Sequence, residues 1–159
     1  MIRSIGPEEW ERFRELRLEA LREAPDAFGS TLERELSFDE TAWRSRLAAR
    51  RQLVAIVGGE WVGTAGAILA ENGPGAELVS MWVAPSARGT GVAAELVTSV
   101  LGWATGEGHS RLSLWVADGN ERAERLYHRL GFRRTGRREP IRAEEPDRLE
   151  VEMAIDLPR

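Results

Sequence analysis

The chain has 159 residues, a formal net charge of -4 and no cysteine, which suits one domain with its own core and excludes disulfides, thiolate nucleophiles and thiolate metal sites. All 22 basic residues are arginine, so a lysine Schiff base and a phosphate-loop lysine are excluded, and the acidic balance argues against general nucleic-acid binding. No apolar run is long enough for a membrane span, and the charged opening MIRSIGPEEWER lacks signal-peptide character, so a cytoplasmic location is expected.

A short strand is expected over residues 2–5, then a helix over 7–23 with Trp10, Phe13, Leu16 and Ala20 able to share a face. The stretch at 24–30 breaks it through Pro25 and Gly29. A second helix over about 39–49 has Asp39 as its cap. Arg44, Arg46, Arg50 and Arg51 alternate with apolar residues and read as solvated surface. The run QLVAIVGGEWVGTAGAILAE, 52–71, reads as a hairpin around Gly58 and Gly59. A turn at 71–75 leads into a strand ending at Val83, and a helix over 89–105 follows with an apolar stripe through Val92, Leu96, Val100 and Ala104. A strand over 111–117, a helix from Asn120 to Leu130, a strand near 132–137 and a last strand from Leu149 complete the order. The crossover through the long helix makes the strands around 80 and 114 parallel neighbours. The result is one α/β domain over 1–159, helices packed on a mixed central sheet.

The turn ARGTGVAA, 87–94, carries the first chemical signal. A helix start offers unpaired N–H groups and partial positive charge. Gly89 and Gly91 admit backbone angles closed to other residues, Arg88 offers a guanidinium fork, and Ala93 and Ala94 leave room. Three ligands compete. A nucleoside-triphosphate loop lacks its spacing and its lysine. GTGVAA satisfies a dinucleotide fingerprint, with Asp118 as a possible ribose ligand, but sits halfway along a short chain. A coenzyme A thioester is the third.

The segment DGNERAERLYHRLGF, 118–132, supplies the second. Asn120 can cap its helix, and Ala123 and Tyr127 share one face. Taken together, Val83-Ala-Pro-Ser-Ala-Arg88-Gly-Thr-Gly-Val-Ala93 and Asn120-x-x-Ala123-x-x-Leu126-Tyr127-x-x-Leu130-Gly131-Phe132 resemble the GCN5-related N-acetyltransferase (GNAT) family. The resemblance is sharp over residues 78–135 and rests on element order elsewhere. It implies a splayed sheet flanked by helices and acetyl-CoA as acyl donor, entering where two parallel strands separate. It implies pantetheine contacts near Met81 and Val83, and pyrophosphate contacts from Arg88, Gly89, Thr90, Gly91, Val92 and Ala93. Asn120 would touch the cofactor arm and Tyr127 would lie near the thioester sulfur.

The implied reaction is direct attack of a primary amine on the thioester, with no covalent enzyme intermediate. A backbone N–H near Trp82 or Val83 would face the developing oxyanion, and Tyr127 would hydrogen-bond the leaving sulfur. Glu77 is the preferred general base and Glu71 the alternative, each acting through water. The acceptor, a small molecule or peptide, is expected between the loop at 25–35 and the loop before the last strand, with Glu33, Glu35 and the 144–147 run as candidate attractors for a cation. The arginines at 133–138 could line a ligand mouth. His109 and His128 show no metal-ligand spacing, so no metal is expected. A homodimer is a further implication of the resemblance. The competing readings are a non-catalytic acyl-CoA-binding domain and a small dinucleotide-binding oxidoreductase.

Overall fold

The computed structural model describes residues 1–71 and 73–158. Its strands are β1 (Ile2–Ile5), β2 (Arg51–Val57), β3 (Glu60–Leu69), β4 (Ala76–Val83), β5 (Arg111–Ala117), β6 (Arg133–Pro140) and β7 (Leu149–Asp156). The helices are α1 (Trp10–Glu23), α2 (Leu32–Leu36), α3 (Glu40–Ala48), α4 (Val92–Gly106) and α5 (Glu121–Arg129). The strands form one sheet in the order β1-β2-β3-β4-β5-β7-β6. Every pairing is antiparallel except β4 with β5.

Local chemistry accounts for most of these boundaries. Gly58 and Gly59, at φ +59° and +81°, make the two-residue turn whose twist matches the flanking strands β2 and β3. Asp39 caps α3 by accepting from Ala42 N at 2.9 Å, an arrangement worth about 1 kcal/mol. The turn expected at 71–75 includes Asn72, which lies outside the described residues.

Each sheet face carries a core. On one side, α4 and α5 cover Leu78, Leu112, Leu114, Val151 and Met153 through Leu96, Val97, Val100 and Tyr127. On the other, α1 and α3 bury Phe13, Leu21, Trp43 and Leu47 against Val54, Trp61 and Trp82. The apolar spacing of α1 and α4 anticipates this two-sided burial.

Helix α2 departs from expectation, since residues 25–35 read as a loop. Thr31 caps it by accepting from Arg34 N at 3.1 Å. A five-residue helix has too few turns to show a period, and Pro25 and Gly29 mask its start. Its Glu35 is wholly buried and bonds Arg17 of α1 through both oxygens, at 2.9 and 3.0 Å. Arg46 of α3 adds a third bond at 2.9 Å. Burial pushes the Glu35 carboxyl up, but Arg17 and then Arg46 outweigh it and hold the group at about 2. Glu35 is therefore consumed by the scaffold rather than offered to a ligand. Arg46 and Arg50 are likewise half-buried, whereas Arg44 and Arg51 are exposed as expected.

Candidate active site

Two departures from regular β-structure shape the site, and both fall in β4. The parallel pairing of β4 with β5 consists of Ala76 opposite Leu112 and Glu77 opposite Ser113, and stops there. The strands around 80 and 114 are thus the parallel neighbours expected from sequence, and beyond Glu77 they part. The second departure is a bulge: the register of β3 with β4 shifts between Thr64 and Gly66, and Ser80 sits at φ +54°. The extra residue reverses the alternation. Before it, Ala76 and Leu78 face α4; after it, Met81 and Val83 take that side while Trp82 turns toward α1.

A cleft of about 550 Å³ opens where the strands separate. Leu78 to Val83 form one wall and Leu114 to Ala117 the other. The glycine turn and the first residues of α4 close one end through Arg88, Gly89, Gly91, Ala93 and Ala94; Asn120, Ala123 and Tyr127 of the α5 segment complete it. The structure thus brings together the two segments that carry the sequence signal.

Helix α4 begins at Val92, three residues later than the expected start. Gly89 and Gly91 hold φ +78° and +90°, outside the right-handed helix, and Gly91 forms a left-handed cap with no side-chain hydrogen bond. A Cβ on either glycine would meet nothing within 4 Å. They are required for backbone conformation, and the space beside them is open to a ligand. The first helical bond runs from Glu95 N to Gly91 O, so the amides of Val92, Ala93 and Ala94 precede the helical ladder and suit a phosphate group. Thr90 turns its hydroxyl inward to Ala87 O. Asn120 spends Oδ1 on Ala123 N at 3.2 Å to cap α5, and the residue lines the cleft.

Arg88 does more than a phosphate-binding fork would. Its Nε donates to Val83 O at 3.1 Å, and its terminal nitrogen pairs with Glu23 at the end of α1. Trp82 Nε1 donates to the same carboxylate at 3.0 Å. Hydrogen bonds from Arg88 and then Trp82 hold Glu23 below the usual carboxylate range. Sequence reasoning missed Glu23, because a carboxylate in the last turn of an amphipathic helix has nothing to distinguish it from solvated charge.

Tyr127 is buried against Phe132, with ring centroids 5.8 Å apart in an edge arrangement. Burial alone pushes its phenol above the ordinary range, so the hydroxyl keeps its proton. Glu77 does not line the cleft. It stands at the root, on the last residue pair shared by β4 and β5. Burial first, then the negative charges of Glu71, Glu139 and Glu152, push its carboxyl up to about 7. Glu139 and Glu150 face each other across β6 and β7. Glu150 is likewise raised, by burial and by its hydrogen bond to Glu139.

The loops expected to frame an acceptor do meet. Arg142, from the segment between β6 and β7, donates to the carbonyls of Pro25, Phe28 and Ser30 at 2.6, 2.9 and 3.3 Å. Ala24, Ala27 and Phe28 reach the cleft from that side. Glu145 is bound to Arg142 and Arg148. The arginines at 133–138 lie on exposed edge strand β6 and contribute nothing to the lining of this cleft. Among the described residues no group of three or more metal-binding side chains converges, and no helix is long and apolar enough to cross a membrane.

Known proteins share this fold. The chain superposes on a GNAT-family acetyltransferase from Streptococcus pneumoniae with a TM-score of 0.78, at 18% identity, over 99% of both chains. For yncA from Salmonella typhimurium, solved with its cofactor acetyl-CoA, the TM-score is 0.76 at 21% identity, over 100% of this chain and 94% of that one. An uncharacterized N-acetyltransferase of Mycobacterium tuberculosis H37Rv is 40% identical over 62 residues, a stretch that spans 39% of this chain and 40% of the relative. The Acetyltransferase (GNAT) family model matches residues 10–132, from the first residue of α1 through the glycine turn to the end of the Tyr127 segment. With the splayed sheet and the glycine turn in place, that match makes this chain a member of the GNAT family.

Proposed function

We propose that the protein is an N-acetyltransferase that moves an acetyl group from acetyl-CoA to a primary amine. The observation that carries this reading is the parting of β4 and β5 beyond Glu77 and Ser113. It opens a cleft that runs from the glycine turn past Tyr127. The open space beside Gly89 and Gly91 and the amides of Val92 to Ala94 fit a pyrophosphate. Met81 and Val83 would follow the pantetheine arm, and the Asn120 NH₂ would meet its amides. Acetyl-CoA supplies the activated acyl group.

The chain's own residues then position and manage protons. An ammonium acceptor must lose a proton before it is a nucleophile. Glu77, held at about 7, is ionised over a useful fraction of molecules near neutrality and accepts that proton through water. Its place at the root of the cleft, rather than in the wall, requires the intervening water. Tyr127 retains its proton and donates a hydrogen bond to the sulfur. A backbone N–H near Trp82 or Val83 lies on the wall where negative charge on the carbonyl oxygen would develop. Holding amine and acyl group together supplies much of the acceleration.

Release of free CoA from acetyl-CoA with a broad amine panel tests the proposal. Titration with CoA and NADH separates it from its rivals. CoA binding without turnover would favour a binding module, and selective NADH binding would favour the oxidoreductase.

A further inference from the structure

Arg17 and Arg46 gather on one carboxylate, Glu35, and Arg50 lies within reach of the charges of all three; none of the three arginines lines the cleft itself. Arg17 and Arg46 occupy that carboxylate. Arg50, in the short link between α3 and β2, is half-buried. Among the described residues the acidic charge that acts on it is Glu35, already shared by the other two, while Arg46 and Arg17 oppose it. Half-buried positive charge with only a shared counter-charge is costly. Burial first, then those two arginines, pull its pKa down to about 10, which still leaves it charged near neutrality.

Its position gives that charge an address. Arg50 Nη1 donates to Ser80 Oγ at 3.1 Å, and Ser80 lines the cleft. Ser80 is the bulge residue, and its φ of +54° is one that glycine would adopt at lower cost. The chain keeps a hydroxyl there at the expense of backbone strain. Phe28, on the loop that closes the acceptor side, stacks on Arg17 at 4.6 Å, so the arginine cluster and the cleft wall share a boundary.

We propose that Arg50, together with Ser80 Oγ, receives a carboxylate on the acceptor, so that the acceptor is an amine that also bears a carboxylate, as amino acids do. The proposal rests on the acetyltransferase reading and names the class of its substrate. The acceptor carboxylate completes the counter-charge that Glu35 supplies only in part, and its amine then lies along β4, on the side of the bulge where Glu77 stands.

The test uses products, which lack the titrating amine and so differ only at the carboxylate. N-acetyl amino acids with small, apolar and acidic side chains are titrated against CoA-loaded protein by calorimetry, each beside its N-acetyl carboxamide. The acid should bind at least about tenfold more tightly than the amide, as a charge-assisted hydrogen bond implies. Arg50→Gln should abolish that preference, Arg50→Lys should keep part of it, and CoA affinity should stay unchanged. Ser80→Gly should weaken the preference while leaving the melting temperature equal or higher. Equal binding of acid and amide by the wild type, or a preference that survives Arg50→Gln, would overturn the proposal. CoA release with the parent amino acids is measured in parallel. Turnover of amines regardless of a carboxylate would remove the carboxylate site and leave the transferase standing. A carboxylate preference with no CoA release from any amine would instead remove the transferase and, with it, the acceptor assignment.

Discussion

Arg88 and Glu23 join the turn before α4 to the last turn of α1 through an ion pair, with Trp82 of β4 bonded to the same carboxylate. The pair spans the glycine turn and the loop that frames the acceptor side. Its two members are about one-third exposed, at 36% and 31%, so its direct worth to stability is at most about 1 kcal/mol. Its larger effect is on position. Glu23→Gln should leave the melting temperature nearly unchanged yet weaken acetyl-CoA binding and raise the KM for amine together. Calorimetry and steady-state kinetics on one preparation check this; a change confined to the melting temperature would make the pair a scaffold contact.

Tyr127→Phe should lower turnover more than it lowers CoA affinity. Burial alone accounts for the raised phenol, so loss of the hydroxyl breaks no scaffold contact that shapes its titration, and the folded protein should be as stable as the parent. The comparison is made where chemistry limits the rate, by single-turnover measurements. Unchanged turnover there would remove the hydroxyl from the reaction.

Glu77 gives two signatures on the pH axis. As general base its active form is the carboxylate, so kcat/KM should rise through about pH 7. Glu77→Gln should lose that limb and fall by about 10²–10⁴-fold. The stability effect has the opposite sense. A carboxyl whose folded pKa is raised binds its proton more tightly in the native state, so its contribution is fully present below the unfolded value of 4.5 and is lost as pH rises through about 7. Melting curves at pH 5 and pH 8 should therefore differ less for Glu77→Gln than for the parent.

Gly91→Ala separates strain from space. An added Cβ meets no neighbour within 4 Å, but φ +90° costs an L-residue roughly 1–2 kcal/mol. The melting temperature should fall modestly and CoA affinity should fall further, because the methyl enters the space beside the turn. Equal retention of CoA affinity would place the pyrophosphate elsewhere.

Glu35→Gln should be the most damaging of the scaffold changes, costing about 3–5 kcal/mol through Arg17, which is left buried without its charge partner. In the parent, the contribution of Glu35 is present above pH 4.5 and is lost as pH falls toward about 2. Urea unfolding at pH 7 and at acid pH measures both statements.

The sequence by itself determined the order of elements, the hairpin at Gly58 and Gly59, the caps at Asp39 and Asn120, and the two segments that meet at the cleft. Each is written in short-range chemistry: a period, a turn residue, or a side chain three residues from the amide it satisfies. The match over residues 10–132 bears out the family resemblance. What only the tertiary structure decided depends on side chains far apart in the chain. Glu23 meets Arg88 across 65 positions and Arg50 meets Ser80 across 30, and neither spacing carries a periodic signal. The Ser80 bulge is equally silent, because one surplus residue in an apolar strand leaves its composition unchanged. That residue turns Met81 and Val83 toward α4 and Trp82 toward α1, and so decides which groups meet the cleft.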